Sequence, residues 1–514
     1  MRKIFNYIKT KRVVLLFLSA FLIRLFALNQ SLWLDEATTA MNIKTYSFWN
    51  IITKFSLLDF HPPLYYLVMK IWTSLFGYSE IALRLPSVLF SLVTGWIIYR
   101  TGQIFNIDSK IINHKSNFSL NHDIGFWGAA FFLFNPLIIY YSQEARMYMM
   151  VTFLVATNFY YFLRLREFRV FGESGNTSHS YRREEKFWDR FWFFLTIPIM
   201  FYTFYASVFY IATIFFYLIY KKQFRLFTSC FLLFSLSVIV ISPLLYQQFL
   251  NSRQTLGLVP NWSSVLGNVS LKNLLLFPIK FTSGRISFDP KWMYYLLAGG
   301  WVGVVWVLGL FGGYRERKLI FFLFMPLLFG IIFSLFSPLL QYFRFIYLIV
   351  FMSVLLARSI YSFDTLFAHA VTTSNVAGAL KGPTALIRKK MSSLISPKII
   401  GIFLLLGFSF WSLLYLLTPQ FHREDWKSLA SILKRENLTV YMIPSSSDPL
   451  KYYAKDLNIR PLTEINLHEP KVVVLAYTAD IHGVDYVSQL KRLNFRYESG
   501  QSFRGLSYEV WSKK

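Results

Sequence analysis

Two adjacent carboxylates, Asp35 and Glu36, stand in the run Ser31-Leu32-Trp33-Leu34-Asp35-Glu36-Ala37, just past an apolar stretch. A carboxylate in that position can act as a general base, taking the proton of a hydroxyl as it attacks. The simpler role is to cap a helix starting at Glu36, where acids are favoured in the first turn. Phe60-His61-Pro62-Pro63-Leu64-Tyr65-Tyr66 follows. Two prolines after a histidine hold the backbone extended before a helix and fix where the imidazole points, although a lone histidine is more often structural. Arg84 enters the next apolar run; it is placed either to bind a phosphate or to reach lipid headgroups. Gln143, Glu144, Arg146 and Tyr148 lie within two helical turns between apolar stretches. A plain hairpin needs fewer hydrogen-bonding groups, unless Glu144 and Arg146 simply pair with each other. Tyr342 and Arg344 open a later apolar run.

These clusters need a membrane scaffold to bring them together, and the sequence supplies one. About 20 apolar residues cross a bilayer, and eleven runs approach or reach that length: roughly 13–29, 84–100, 124–141, 147–164, 191–204, 206–220, 226–246, 293–312, 319–337, 344–361 and 398–417. The fifth and sixth are short enough to be one kinked or re-entrant pair around Tyr205. The basic stretch Arg2, Lys3, Lys9, Lys11 and Arg12 precedes the first run without a small-residue cleavage site before Trp33, so that run reads as a span and not as a cleaved signal peptide.

The composition agrees. Of 514 residues, 55% are hydrophobic and only 15% charged, with a net charge of +27 and a single cysteine, Cys230. Disordered chains and disulfide scaffolds are excluded. Basicity on so apolar a chain argues against a nucleic-acid partner and for basic cytoplasmic loops. With the N-terminus inside, most of the positive charge falls on the cytoplasmic segments. The loop 247–291 is the exception, carrying Arg253, Lys272, Lys280, Arg285 and Lys291 yet falling outside. All the polar clusters then face the outer side, where acids, cations and tyrosines suit a charged lipid and a polar acceptor. Segment 358–398 reads as a mobile cytoplasmic loop.

The expected class is therefore an α-helical polytopic membrane protein of about eleven spans (1–417) with a small extracytoplasmic α/β domain (418–514), in the cell (inner) membrane. Within the tail, 425–435 has helical spacing, 438–443 and 472–477 read as strands, 483–493 as a helix, and 494–499 with 505–511 as a hairpin around Ser499-Gly500.

The order WLDEA, then HPPLYY with GYSEIALRLPS, then NPLIIYYSQEARMY at 135–148 resembles bacterial GT-C glycosyltransferases of the family-39 type, including the RgtA/B/C/D-like domain (62–220 here). Protein O-mannosyltransferases and the aminoarabinose transferases of lipid A are similar. QYFRF at 341–345 and the EDW that opens the tail are looser matches. The resemblance implies an inverting transfer of a monosaccharide from a polyprenyl-phosphate donor to a glycan, lipid or protein hydroxyl. Asp35 matches the catalytic carboxylate and Glu36 its neighbour. It implies phosphate contacts by Arg146 and Arg344, and a donor cavity lined by Gln143, Glu144 and Tyr148; His61, Arg84 and Tyr342 are further candidates for that site. His61 stands where aminoarabinose transferases carry a lysine, which leaves its partner open between phosphate, metal and structure.

The chemistry needs no cofactor. A phosphate leaving group departs without a proton once a cation neutralises it. No Gly-rich phosphate loop and no DxD pair occurs; a divalent metal held by Asp35, Glu36 and His61 is conceivable but is not dictated by their spacing. Competing readings are a ligase or polymerase of lipid-linked glycans, a transporter or flippase, which would favour repeated halves with mid-span polar sites, and a noncatalytic subunit whose tail binds a partner.

Overall fold

The computed structural model describes residues 2–112, 123–170, 179–314, 316–376, 397–436, 439–465 and 469–513. Each of the eleven apolar runs is helical. Among the described residues, six helices are long and apolar enough to cross a membrane: Glu80–Phe105, Phe224–Leu258, Lys291–Leu310, Arg317–Ser334, Tyr342–Ser362 and Lys398–Leu417. The third run is not one helix. Ile124–Leu133 and Pro136–Ser142 meet at a 61° bend and together make a seventh candidate. Its cause is local: Asn135 accepts hydrogen bonds from the amides of Leu137 and Ile138, and Pro136 starts the new helix as its first residue. The remaining four runs lie in the helices Arg2–Leu25, Tyr148–Val170, His179–Thr203 and Val208–Tyr220. The last two are joined through the extended Phe204 and the single turn Tyr205–Ser207, where the sequence places a break; a second break lies at Asn135. The segment read as a cytoplasmic loop begins as helix, since Ile349–Val376 is continuous; 377–396 lies outside the described residues.

Close packing decides a few positions. Gly102 and Gly125 let the Glu80–Ile112 and Ile124–Leu133 helices touch backbone to backbone, and a Cβ at either would collide with main-chain atoms of the other helix. Polar groups at depth find partners. Asn158, on the Tyr148–Val170 helix, donates to the Phe193 carbonyl and to Thr196, and accepts from Tyr210.

The tail forms a five-stranded sheet in the order β2-β1-β3-β5-β4, with β1 Val440–Met442, β2 Ile459–Pro461, β3 Lys471–Leu475, β4 Phe495–Phe503 and β5 Leu506–Lys513. β1, β2 and β3 are parallel; β3, β5 and β4 are antiparallel. The β3 run alternates two buried faces. Val473 and Leu475 pack with Trp426, Leu429 and Leu433 of the Trp426–Glu436 helix, while Val472 and Val474 pack with Leu490 of the Tyr486–Arg492 helix. A buried parallel strand needs both covers. The expected hairpin is present, but its turn lies at Arg504-Gly505 and not at Ser499-Gly500. Strand β2 and the helix Asp448–Tyr453 are additions, both too short to carry a periodic signal. The tail seats directly on the loops that follow the first helix and precede Glu80: the Leu32 amide donates to the Tyr453 hydroxyl (2.8 Å) and Tyr452 donates to the Tyr78 carbonyl (2.5 Å).

Candidate active site

The first loop turns into the helix Leu34–Thr45, which places Asp35 and Glu36 on successive residues pointing in different directions. Their environments differ completely. The Asp35 side chain is 38% exposed and its Oδ2 lies 3.6 Å from Arg146 Nη2. The Glu36 side chain is fully buried. Arg84 grips it with both arms of its fork, Nε to Oε1 at 2.9 Å and Nη2 to Oε2 at 2.6 Å, the Ala145 amide donates to Oε1, and the Trp33 amide reaches Oε2. Glu36 therefore closes the helix's own first turn, while Asp35 leaves its carboxylate open. Burial alone would raise the Glu36 pKa, but the Arg84 and Arg423 guanidinium groups outweigh it and hold the carboxyl below its ordinary range.

Arg84 does not reach headgroups. Its remaining donors go to the carbonyls of Leu28, Gln30 and Ser31. All five N–H groups are engaged, so none is left for a phosphate; Arg84 suspends the end of the first span from the second. Gln143 has a similar duty, donating to the Arg24 and Phe26 carbonyls and accepting from Tyr415.

Glu144 and Arg146 do not pair with each other. Arg423, from the start of the tail, puts Nη2 2.8 Å from Glu144 Oε2 and Nε 3.8 Å from Glu36 Oε2, with its guanidinium 4.4 Å from the Tyr140 ring centroid and 5.7 Å from that of Trp33. Burial raises the Glu144 pKa despite this partner, and Glu144 Oε1 and Arg423 Nη1 have no hydrogen-bond partner. Arg146 faces Asp35 instead. It makes only long contacts, 3.4 Å to Thr39 and 3.3 Å to the Tyr66 hydroxyl, and its buried Nε is unpartnered. Burial would lower its pKa, yet Tyr66 and Asp35 keep it well above the usual value.

His61 sits at the same rim, its Nδ1 3.1 Å from Asp59 Oδ1 and its ring stacked on Phe204 at 12° between planes. Tyr148 packs edge-on against Tyr141, Phe204 and Phe343. Tyr342 is buried and packs edge-on against Phe343, and Arg344 Nη1 donates to the Leu266 carbonyl (2.9 Å). Arg285 donates to the Tyr140 hydroxyl (2.9 Å) and lies over its ring. Arg423, Asp59 and Arg285 belong to this cluster although the motifs did not single them out. Of Asp35, Glu36 and His61, both Glu36 oxygens are bonded to Arg84, and among the described residues no three His, Cys, Asp or Glu side chains converge.

An apolar groove of about 650 Å³ is lined by Leu57, Pro63, Leu67, Tyr202, Leu244 and Tyr246.

Comparison with known proteins gives one family and a group of structures. The family model of the GPI transamidase subunit PIG-U matches residues 56–181. No curated protein matches the chain. ArnT from Cupriavidus metallidurans in the apo state is similar over 98% of both chains at 13% identity, with a TM-score of 0.52. The same protein bound to undecaprenyl phosphate matches at 14% identity and a TM-score of 0.50, again over 98% of both chains. The oligosaccharyltransferase AglB from Archaeoglobus fulgidus, in complex with an inhibitory peptide and a dolichol-phosphate, matches at 12% identity and a TM-score of 0.52, over 96% of this chain and 74% of that one. The likeness is one of architecture: this multi-pass membrane protein has the GT-C glycosyltransferase fold, with a small α/β domain after its last span.

Proposed function

We propose that the protein is an inverting glycosyltransferase that moves a monosaccharide from a polyprenyl-phosphate donor to an acceptor hydroxyl at the outer face of the cell membrane. The observation that carries this reading is the contrast among four site carboxylates. The Asp35 side chain is 38% exposed, against 18% for Asp59, 1% for Glu144 and none for Glu36. Only Asp35 combines an open oxygen with a cation at its side. It is the base; Glu36 and Arg84 hold the loop that presents it.

In the reaction the acceptor oxygen bonds to the anomeric carbon as that carbon's bond to the phosphate oxygen breaks. Asp35 receives the hydroxyl proton. The polyprenyl phosphate leaves as an anion, neutralised by Arg146, Arg344 and Arg285, so it needs no acid. One displacement inverts the anomeric centre. The unpartnered Arg146 Nε suits a phosphate oxygen. The apolar groove lined by Pro63 and Leu67 suits an isoprenoid tail, whose burial is favourable in proportion to its apolar area. ArnT bound to undecaprenyl phosphate and AglB with a dolichol-phosphate share the fold and hold lipids of this class. No step runs through a metal.

The test is transfer from a synthetic polyprenyl-phospho-sugar by the purified protein. Turnover with a nucleotide sugar alone would overturn the donor class. A ligase of lipid-linked glycans would use the same base and clamp; preference for an oligosaccharide-bearing donor in direct competition would select it.

A further inference from the structure

The helix Phe224–Leu258 carries Ile241, Leu244, Gln248 and Asn251 at steps of three and four residues, so the four share one face. The apolar half of that face lines the groove, through Ile241 and Leu244. The polar half takes hold of the backbone of loop 56–61. Gln248 Nε2 donates to the carbonyls of Ser56, Asp59 and His61 at 2.7, 2.8 and 3.1 Å, and Asn251 Nδ2 donates to that of Leu57 at 2.6 Å. The Tyr205 hydroxyl donates to Gln248 Oε1 at 2.7 Å. Carbonyls only accept, so the amide nitrogen has to face them, and Tyr205 holds the buried amide that way round.

The loop so held serves two parts of the site. Leu57, and Pro63 just beyond the loop, line the same groove as Ile241 and Leu244. Asp59 and His61 belong to the polar cluster: Asp59 accepts the Tyr66 hydroxyl at 2.6 Å, and His61 Nε2 lies 3.4 Å from Arg146 Nη2. Arg146 in turn stands beside Asp35. The segment has little of its own to keep this shape. Its helical pieces are the π-helix Ile51–Phe55 and the single turn Ser56–Leu58, too short to be stable alone, and Pro62 and Pro63 offer no amide proton.

We infer that Gln248 is a positioning residue for the donor: by fixing loop 56–61 it sets the groove wall at Leu57 and Pro63, and the corner at Asp59 and His61, before a lipid phosphate arrives. The inference rests on the proposed donor class. A loop already in place spares the ligand the entropy of ordering it. Without the amide, three carbonyls lose their donor and the loop samples other conformations. Affinity then falls in proportion to the share of molecules in the competent form; a loop competent in about a tenth of them binds about tenfold more weakly.

The experiment compares wild type, Gln248→Met, Tyr205→Phe and the double variant as full chains in lipid nanodiscs. Calorimetric titration with undecaprenyl phosphate gives affinity and stoichiometry separately, and hydrogen exchange follows the amides of 56–61. Gln248→Met should bind about tenfold more weakly at unchanged stoichiometry. Its exchange at 56–61 should quicken without ligand and slow again once undecaprenyl phosphate is bound. Tyr205→Phe should show the same changes on a smaller scale, and the double variant should bind no worse than Gln248→Met, since both act through one amide. Unchanged affinity in Gln248→Met overturns the inference. Fewer sites at unchanged affinity also overturn it, because that is misfolding alone, as does weaker binding with exchange at 56–61 unaltered. All three leave the donor class standing. A wild type that binds no undecaprenyl phosphate overturns the donor class and this inference with it.

Discussion

Asp35 Oδ2 lies 3.6 Å from Arg146 Nη2, a distance at which the two charges stabilise each other without being locked in a hydrogen bond. This loose pairing brings a proton acceptor and an anion-binding group to one spot from opposite ends of the 35–146 segment. It also allows the guanidinium to turn toward a phosphate without first breaking a strong bond.

The two neighbouring carboxylates should separate cleanly on substitution. Asp35→Asn removes the base and should lower kcat by about 10²- to 10⁴-fold with little change in thermal unfolding. Glu36→Gln strips the charge that balances the buried Arg84 and should lower stability by about 3–5 kcal/mol. Turnover and melting temperature measured on both variants check the assignment; full activity of Asp35→Asn would remove Asp35 from the mechanism.

Arg146 and Arg344 should act through the donor. Arg146→Ala should reduce kcat/KM by about 10²- to 10³-fold, the usual loss when one preorganised donor to a developing anion is removed. Arg344→Ala should cost less, since one of its arms already serves the Leu266 carbonyl. Kinetics at varied donor concentration decide this, and an Arg146→Ala enzyme with unchanged kcat/KM would exclude it as the clamp.

Stability should fall in acid. The folded-state pKa of Glu36 is depressed below its ordinary value of 4.5 and that of Asp59 below 3.8. Their stabilisation is complete above those ordinary values and is lost as pH drops through the depressed ones. Glu144, raised above 4.5, contributes with the opposite sign and costs stability as pH climbs. Melting temperatures should decline below about pH 4.5, less steeply for Glu36→Gln.

Chelation should leave turnover unchanged, because the carboxylate best placed to join Asp35 around an ion has both oxygens bonded to Arg84. Loss of activity in EDTA, restored by a divalent cation, would require Glu36 to be released from that grip.

The polar clusters were legible because each interrupts an apolar run, and the helices because the runs themselves are long. Partnerships were not. From sequence Arg84 reads either as a phosphate ligand or as a group reaching for headgroups, since nothing local announces that Glu36, 48 residues earlier, engages it. Arg423 precedes the EDW motif with no periodic or spacing signal of its own, and its meaning comes entirely from Glu144. Two signals were available. Asn135-Pro136 is a turn-forming pair inside an apolar run and marks the bend. Arg285 belongs to the one loop that departs from the charge rule when the N-terminus is placed inside, and in the structure it bonds the Tyr140 hydroxyl.

The Arg423–Glu144 contact spans 279 residues of chain, and this sets a timetable. During synthesis the helices before residue 397 and the turn 143–146 are made while Glu144 still lacks its partner. Only when the Pro397–Leu417 helix is in place and the tail folds against the first loops does the counter-charge arrive. A chain lacking residue 423 therefore leaves Glu144 buried without its counter-charge, and the turn 143–146 is completed only by a segment synthesised long after it.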